Sequence, residues 1–375
     1  MTTTPELRET CARELLAAAD RVPQLIAFVG LDGFVDEIVH VVDTRQNAAS
    51  YQRLPSIASL AERLAAAAGK STNIELVNQL TKLGGNGPIM ANALARLGLK
   101  VTYLGALGYP DRHPVFDDFA RNAEVHSVAE SGHTDALEFE DGKVMVSRTV
   151  QLNEITWPRI QERFGKKKFA AKFESSDLIA FVNWTMIPFM SDVWEALLVE
   201  LCPRLSGPRR KMFFDLADPE KRTPQDIRRA LELIVRFQVH FDVILGLNEK
   251  EACEVAESLG VSGIARDTEG LVTLARRLAE RLPISTIVIH PVSYALAISG
   301  GAVDIVKGPY VASPKITTGA GDHFNAGFCL GKLLGFSNQT CLLCGVTTSG
   351  YYVSTGTSPS LVQLAEMLHK WPAES

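Results

Sequence analysis

Residues 317–328, TTGAGDHFNAGF, combine small residues with a single carboxylate, and this combination could do chemistry. The small residues Gly319, Ala320 and Gly321 let the backbone come close to a ligand and turn its N–H groups toward it. An apolar helical pattern begins at Asp322, and the positive end of that helix favours negative charge at the same place. The segment therefore predicts a cradle for an anion with a carboxylate at its edge.

The carboxylate of Asp322 indicates what kind of site this cradle is. A carboxylate beside a simple phosphate site would repel the phosphate, so the pattern favours a catalytic site over a binding site. Asp322 would remove a proton from an incoming hydroxyl group while the backbone N–H groups stabilise charge on a phosphoryl group in transfer. A structural interpretation stays open, because Gly-Ala-Gly before a helix is also typical of a tight connection with an N-capping aspartate.

The composition limits the classes of function. The chain has 375 residues, 46% of them apolar, which suits one large α/β domain with an appendage or two domains. A net charge of −5 gives no basic surface of the kind that nucleic acids or membranes attract, so neither is an expected partner. No run of eighteen apolar residues occurs, and the N-terminus lacks a signal-peptide pattern. The six cysteines lie mostly in apolar helical contexts and predict core thiols in a reduced, cytoplasmic protein.

The elements that must position Asp322 alternate along the second half of the chain. From residue 177 onward, predicted strands and helices follow one another, which indicates parallel strands with helices on both faces. Residues 134–139 and 143–148 flank an Asp-Gly pair, a typical two-residue hairpin turn. Together with the extended residues 36–42, this hairpin predicts a small sheet apart from the main one.

Three short motifs follow one another along the chain. They are Gly84-Gly85-Asn86 with the small-residue segment 91–98, the pair Asn248-x-x-Glu251, and residues 316–324, ITTGAGDHF. In this order and spacing they resemble the motifs of the ribokinase-like, or PfkB, family of carbohydrate and nucleoside kinases. The likeness covers roughly residues 24–370. It implies an α/β fold with a doubly wound, mostly parallel sheet, helices on both faces and a small β-sheet lid.

The resemblance also implies how the chain is divided. Residues 1–23 would form an N-terminal helical extension, and residues 24–375 a ribokinase-like α/β kinase domain. Lid segments are expected near residues 36–50 and 130–152, where they would close over a sugar or nucleoside. A small sheet has open edges that need cover, so a homodimer through the lid is also expected.

The resemblance assigns a role to residues of each motif. Asp322 matches the catalytic base, Gly319, Ala320 and Gly321 the anion hole, Asp36, Gly84 and Gly85 the substrate site, and Asn248 and Glu251 the pair that organises nucleotide phosphate and metal, Glu251 through water. Further candidates are Asp32, Asn86 and Arg148 for acceptor specificity and Thr317 and Thr318 for nucleotide binding. The physical chemistry agrees, since a carboxylate can accept hydrogen bonds from two hydroxyl groups and Mg²⁺ prefers oxygen ligands and retains waters.

The predicted activity is an ATP-dependent phosphoryl transfer. The γ-phosphoryl group would move to a hydroxyl group of a sugar, sugar acid or nucleoside, with Asp322 as the base and ATP and Mg²⁺ as cofactors. One alternative is a non-catalytic relative of the same fold that binds a sugar or nucleotide. Another is a hydrolase that acts on phosphorylated substrates with the same cradle.

Four positions depart from the family pattern. Ile316 stands where an aspartate helps to organise a monovalent-cation site in some members, which argues against activation by K⁺. His323 replaces Thr or Ser, and the helix dipole would disfavour its cationic form. Ile89 replaces a substrate-binding asparagine and argues against ribose as the acceptor. Residues 290–295 lack both glycines of the nucleotide strand, and this absence motivates the non-catalytic alternative.

Overall fold

The structure is a computed structural model that describes residues 3–265 and 267–371. Fourteen strands lie in these ranges and form two sheets. The strands are β1 Ile26–Leu31, β2 Phe34–Arg45, β3 Tyr51–Arg53, β4 Leu76–Gly84, β5 Lys100–Ala106, β6 Glu124–Ala129, β7 Gly132–Glu138, β8 Lys143–Arg148, β9 Leu178–Phe181, β10 Arg210–Asp215, β11 Phe241–Leu247, β12 Thr286–Ile289, β13 Tyr294–Ser299 and β14 Ala302–Lys307.

The larger sheet confirms the predicted fold class. Its order within the described ranges is β14-β13-β12-β11-β10-β9-β1-β5-β6. The strands from β12 to β6 in this order pair in parallel, and β13 and β14 add an antiparallel edge. Successive side chains of β1 pack on opposite faces of the sheet: Phe28 belongs to one apolar core, and Ala27 and Val29 belong to the other. Strands buried on both faces explain the apolar runs in the sequence.

Helices cover both faces of this sheet. The helices of the described ranges are α1 Pro5–Ala17, α2 Ile57–Ala66, α3 Asn86–Leu97, α4 Asp117–Asn122, α5 Trp157–Ile160, α6 Lys166–Ser175, α7 Met190–Glu200, α8 Pro224–Phe237, α9 Glu249–Ser258, α10 Thr268–Arg281, α11 Ala320–Leu334, α12 Asn338–Thr355 and α13 Leu361–Lys370. Helices α5 to α10 contribute to one core, and α1, α3, α4 and α11 to α13 contribute to the other. None of the helices in the described part of the chain is long and apolar enough to cross a membrane.

The smaller sheet contains the predicted hairpin of β7 and β8 together with β2, β3 and β4. Strand β4 forms an edge by pairing antiparallel with β2, and β7 pairs with β2 on the other side. The sequence did not predict β4, because the register of β2 and β4 shifts between Ile38 and Val39 and this irregularity breaks the alternation of apolar residues. Helix α2 covers one face of the sheet, where Leu60 packs with Val39 and Val41.

The chain changes direction across the larger sheet at β1. Strand β5 lies on one side of β1, and β9 lies on the other. In open α/β sheets, ligands bind outside the carboxyl ends of the strands at such a point. Two polar side chains meet there, since Asn183 Nδ2, just after β9, donates a hydrogen bond to Asp32 Oδ2, just after β1, at 2.6 Å. The topology therefore indicates the position of the functional site.

Candidate active site

A cleft of about 780 Å³ opens at the carboxyl ends of the parallel strands, below the smaller sheet. Most of the residues that the sequence predicted for the site line this one cleft. They are Asp36, Gly85, Asn86, Asn248, Glu251, Thr318, Gly319, Gly321 and Asp322. Residues more than 280 positions apart in the sequence are thus brought together, as a shared site requires.

Asp322 lies in the first turn of α11, and only 6% of its surface is exposed. Its Oδ1 accepts a hydrogen bond from Asn86 Nδ2 at 2.9 Å, whereas Oδ2 accepts none from the described residues. Burial raises the pKa of Asp322 to about 8, and the negative charges of Asp32 and Glu251 act in the same direction. The hydrogen bond from Asn86 opposes this increase. A carboxyl group with this pKa can exchange a proton near neutral pH.

The turn before Asp322 holds part of the predicted anion hole. Gly319 has φ of 96°, and a Cβ there would lie 3.2 Å from Ile89 Cγ2, so a glycine suits both the backbone angle and the space. The N–H group of Ala320 donates to the Thr317 carbonyl at 3.1 Å. Among the described residues, the N–H groups of Gly319 and Gly321 have no such partner. The expected three-residue anion hole therefore has two available donors in this conformation.

His323 supports this turn from the side of the core. Its Nδ1 lies 2.7 Å from the Gly319 carbonyl oxygen, and its Nε2 lies 2.8 Å from Ser358 Oγ. The imidazole stacks on Tyr352 with 3.7 Å between the ring centroids, and the Tyr352 hydroxyl donates to the Thr318 carbonyl. Burial lowers the pKa of His323 to about 4, so the ring is neutral, as the sequence predicted. Burial is the main cause of the lowered pKa.

Asp36 lies at the end of the cleft that the smaller sheet covers. Asp36 is 5% exposed, and the hydroxyl of Thr134, which lies 3.1 Å from Ser147 Oγ, belongs to the neighbouring strand β7. Burial raises the pKa of Asp36, and the positive charge of Lys82 opposes the increase. A Cβ at Gly84 would lie 2.2 Å from Asp36 Cγ. The glycine is required because the carboxylate occupies the space that any side chain at 84 would need.

Asp32 is not placed as the sequence predicted. The side chain is fully buried beneath the cleft, where Oδ1 accepts hydrogen bonds from the Gly87 N–H at 2.9 Å and from the Tyr103 hydroxyl at 3.3 Å. Its Oδ2 accepts from Asn183, and burial raises its pKa to about 6. With these partners, Asp32 holds the start of α3 in place, and its complete burial separates it from a substrate in the cleft.

Arg148 and Thr317 also lie outside the cleft lining. Arg148 is on the face of β8 opposite to Ser147, which lines the cleft, and its guanidinium lies 3.9 Å from Asp135 Oδ2. The expected role of Arg148 in specificity therefore does not fit its position, because neighbouring strand residues point to opposite faces. Thr317 is exposed, and its carbonyl oxygen is used by the turn at Ala320.

Asn248 and Glu251 form a capping box at the start of α9. Asn248 Oδ1 accepts from the Glu251 N–H at 2.9 Å, and Glu251 Oε2 accepts from the Asn248 N–H at 2.8 Å. Glu251 Oε1 accepts a further hydrogen bond from the Asp218 N–H at 3.1 Å. Burial raises the pKa of Glu251. A role as a helix cap and a role in the site are compatible for this pair, because Asn248 and Glu251 both cap α9 and line the cleft.

Asp215 is a residue of the cleft that the sequence analysis missed. Its Oδ2 accepts from Asn325 Nδ2 at 2.8 Å, and its Oδ1 accepts from the Ala217 N–H at 2.9 Å. Burial raises the pKa of Asp215 well above its ordinary value, and the charges of Glu251 and Asp322 add to this effect. The sequence could have indicated Asp215 through its position at the end of β10, because polar residues at the carboxyl ends of parallel strands converge.

Backbone strain is concentrated at the same cleft. Asn183, Ala217 and Asp218 have φ of 59°, 56° and 52°, values that are uncommon outside glycine. All three line the cleft, together with Lys221, whose Nζ lies 3.2 Å from Asp218 Oδ2. Such conformations cost free energy and persist where the surrounding structure enforces them, often at functional sites.

His290 occupies the place of the missing nucleotide-strand glycines. It follows β12, lines the cleft, and packs its ring on Phe324 with 4.7 Å between the centroids. Burial lowers the pKa of His290 to about 4, which keeps the ring neutral. A Cβ at Gly321 would lie 3.2 Å from His290 Cε1, so the histidine also restricts the residue that can stand at 321.

Solved structures with the same architecture are sugar and nucleoside kinases. Arabidopsis thaliana ribokinase, complexed with ribose and ATP, aligns with a TM-score of 0.65 at 16% identity over 92% of this chain and 98% of its own. Ribokinase from Cryptococcus neoformans var. grubii, in complex with ADP, gives a TM-score of 0.62 at 18% identity over 91% and 98%. Adenosine kinase from Sinorhizobium meliloti aligns with a TM-score of 0.60 at 17% identity, over 92% of this chain and 98% of its own. The likeness at these identities is one of fold.

The fold and the cleft define a small-molecule kinase of the ribokinase class. Ketohexokinase from Haloferax volcanii is 28% identical over 362 residues, which are 95% of this chain and 95% of that protein. The sequence profile of the family described as prokaryotic ketohexokinase matches residues 2–371. The chain therefore belongs to the prokaryotic ketohexokinase family, and the enzyme is favoured over the non-catalytic alternative.

Proposed function

We propose that this protein transfers the γ-phosphoryl group of ATP to a hydroxyl group of a ketohexose, with Asp322 as the base. The observation that carries the proposal is the Asp322 carboxylate, with one oxygen held by Asn86 and the other without a partner among the described residues. Two available backbone donors, at Gly319 and Gly321, precede it in the same turn. The family match and the relative from Haloferax volcanii support a ketohexose as the acceptor.

The proposed reaction is a direct displacement at phosphorus. The acceptor hydroxyl gives its proton to Asp322 Oδ2, and its oxygen forms a bond to the γ-phosphorus. The bond from that phosphorus to the bridging oxygen of ATP breaks, and ADP leaves with the electron pair. The N–H groups of Gly319 and Gly321 stabilise charge on the transferring group, where fixed donors are most effective.

A magnesium ion fits the oxygen-rich end of the cleft. Asp215, Asp218, Asn248 and Glu251 line this region and present oxygen atoms, which Mg²⁺ prefers. Both oxygens of Glu251 already accept backbone N–H groups, so Glu251 would hold the ion through water. When bound, Mg²⁺ neutralises charge on the β- and γ-phosphates. The unfavourable burial of several carboxyl groups in one place is understandable if a cation offsets it.

The smaller sheet supplies the lid of the proposed site. Phe34, Thr134, Met145 and Ser147 line the cleft from this sheet and would exclude water from the acceptor. Exclusion of water matters because water competes with the sugar hydroxyl for the phosphoryl group. Closure of the lid would therefore suppress hydrolysis of ATP.

The lid is also the proposed homodimer interface. Strand β4 is an edge strand, and its Leu76 and Leu80 are 40% and 54% exposed. Open edges with apolar side chains are usually covered. Sedimentation velocity at micromolar concentration tests this proposal: wild type should sediment as a dimer and Leu80→Lys as a monomer. A monomeric wild type would contradict it.

A panel assay of ADP release tests the function. D-fructose and other ketohexoses, D-ribose, adenosine and D-gluconate are each supplied with ATP and Mg²⁺, and the phosphorylated product is identified by mass spectrometry. A ketohexose should give the highest kcat/KM, with one phosphate gained per ADP released. A higher kcat/KM for adenosine or ribose, or ADP release without a phosphorylated sugar, would contradict the proposal.

A further inference from the structure

Lys82 stands opposite Asp36 in the smaller sheet. The two residues are direct partners in the antiparallel register of β2 and β4, so their side chains lie on the same face. Lys82 lines a second cavity of about 660 Å³, which adjoins the catalytic cleft at Ile89, because Ile89 lines both. His323 lines this second cavity as well. A cation is thus placed beside the acceptor end of the site.

The ammonium group of Lys82 has no hydrogen bond or ion pair within residues 3–265 and 267–371, although the side chain is half-buried. Lys221, in the same catalytic cleft, is paired with Asp218 at 3.2 Å. Burial lowers the pKa of Lys82, and the charges of Asp36 and Asp322 oppose this decrease. An ammonium group without a protein partner can donate its hydrogen bonds to a ligand that takes the place of water.

We propose that Lys82 binds an oxygen atom of the acceptor sugar and, with Asp36, selects neutral polyols. The ammonium group can only donate hydrogen bonds, and the ionised carboxylate can only accept them. Adjacent hydroxyl groups of one sugar satisfy both, because one oxygen accepts from Lys82 while its neighbour donates to Asp36. This inference rests on the proposed sugar kinase function and concerns which sugars the site takes.

The charges at the acceptor end favour a neutral sugar over a sugar acid. The buried carboxylate of Asp36 would repel an added carboxylate, and Asp322 would add to this repulsion once it has lost its proton. Removal of Lys82 has a second consequence. Its charge lowers the pKa of Asp322, so a neutral residue at 82 leaves Asp322 protonated to higher pH.

The test compares wild type with Lys82→Met, Lys82→Arg and the control Lys166→Met, which removes a lysine that is paired with Glu200. Lys82→Met should raise the KM for the best ketohexose at least about tenfold, the value of a hydrogen bond to a charged group. The KM for ATP should be unchanged. The acidic limb of the plot of kcat/KM against pH should move to higher pH in Lys82→Met. It should stay in place in Lys82→Arg and Lys166→Met.

The proposal would be overturned if wild type and Lys82→Met had the same KM for the sugar and the same position of the acidic limb. It would also be overturned if wild type preferred D-gluconate to every neutral sugar. Circular dichroism melting shows whether Lys82→Met folds, and if it does not, Lys82→Gln, which also removes the charge, takes its place with the same expected results. Calorimetric titration of D-fructose without ATP separates this proposal from the proposed function. If wild type transfers no phosphate, weaker fructose binding by Lys82→Met still supports it, and equal or absent binding overturns it.

Discussion

Asn86 Nδ2 donates a hydrogen bond to Asp322 Oδ1 at 2.9 Å, although the two residues are 236 positions apart in the sequence. Asn86 begins α3, and Asp322 lies in the first turn of α11, so two helix N-termini converge on the cleft. The positive ends of both helices favour negative charge between them. The hydrogen bond fixes the carboxylate and leaves its second oxygen available to a substrate.

Loss of this hydrogen bond should weaken catalysis. Asn86→Ala is expected to lower kcat by about tenfold to a hundredfold, because Asp322 loses its fixed orientation. The acidic limb of the pH profile should also move to higher pH, since Asn86 lowers the pKa of Asp322. Steady-state kinetics between pH 6 and 9 measure both effects. Asn122→Ala, which removes an exposed asparagine on α4, is the control and should behave as wild type.

The wild-type rate should rise with pH up to about 8. The base form of Asp322 is the deprotonated one, and burial raises its pKa to about 8, so the active fraction grows as the pH approaches this value. A plot of log kcat/KM against pH should have a slope near one below the break. A flat profile between pH 6 and 8 would count against Asp322 as the base.

The same pKa has a consequence for stability. The pKa of Asp322 is about 8 in the folded protein and 3.8 as its ordinary value, so the folded protein holds this proton more tightly than the unfolded chain. Its contribution to stability is therefore lost as the pH rises from about 4 to about 8. Asp322→Asn should be more stable than wild type at pH 8, and the difference should shrink toward pH 4. Denaturant titrations at both pH values measure it, and a less stable Asp322→Asn at pH 8 would contradict the account.

Gly84→Ala should damage the acceptor site. The new Cβ would lie 2.2 Å from Asp36 Cγ, and the carboxylate must move to accommodate it. The KM for the sugar should rise at least about tenfold while the KM for ATP stays the same, because only the acceptor loses a hydrogen bond. Gly308→Ala is the matched control, since its Cβ would meet nothing closer than 3.5 Å. An unchanged sugar KM in Gly84→Ala would remove Asp36 from the acceptor site.

Activity should not depend on K⁺. Ile316 offers no carboxylate, and the neighbouring Gly319 carbonyl and Ser358 hydroxyl are both bonded to the neutral ring of His323. Initial rates in KCl and in tetramethylammonium chloride at equal ionic strength should agree within about twofold. A tenfold loss without K⁺ would show that a cation site exists despite the isoleucine.

Local patterns in the sequence were sufficient for the fold class and for part of the cleft. Gly319 and Asp322 were found because small residues and a carboxylate at the start of a helix predict an anion site from only a few consecutive residues. The alternation of strands and helices predicted the parallel sheet, which the structure confirms. The roles of Asn248 and Glu251 were found through the family resemblance, which recognises this pair from four consecutive residues.

Features that depend on neighbouring strands could not be obtained in this way. Lys82 matters because β4 pairs with β2, and the shifted register concealed that strand. Asp215 matters because β10 ends beside the cleft. Arg148 lies on the outer face because side chains alternate along β8 and its neighbour Ser147 faces the cleft. Each of these positions is set by the order and register of strands, which single-sequence periodicity does not determine.

Single-turnover transfer of labelled γ-phosphate from ATP to the best ketohexose, by wild type and Asp322→Asn in a quenched-flow instrument, tests most directly whether Asp322 is the base. Asp322→Asn keeps the shape of the side chain and can still meet Asn86, so the transfer step alone should slow, by about 10²–10⁴-fold. The dissociation constants of ATP and sugar should change little. A transfer rate in Asp322→Asn within threefold of wild type would show that another group removes the proton.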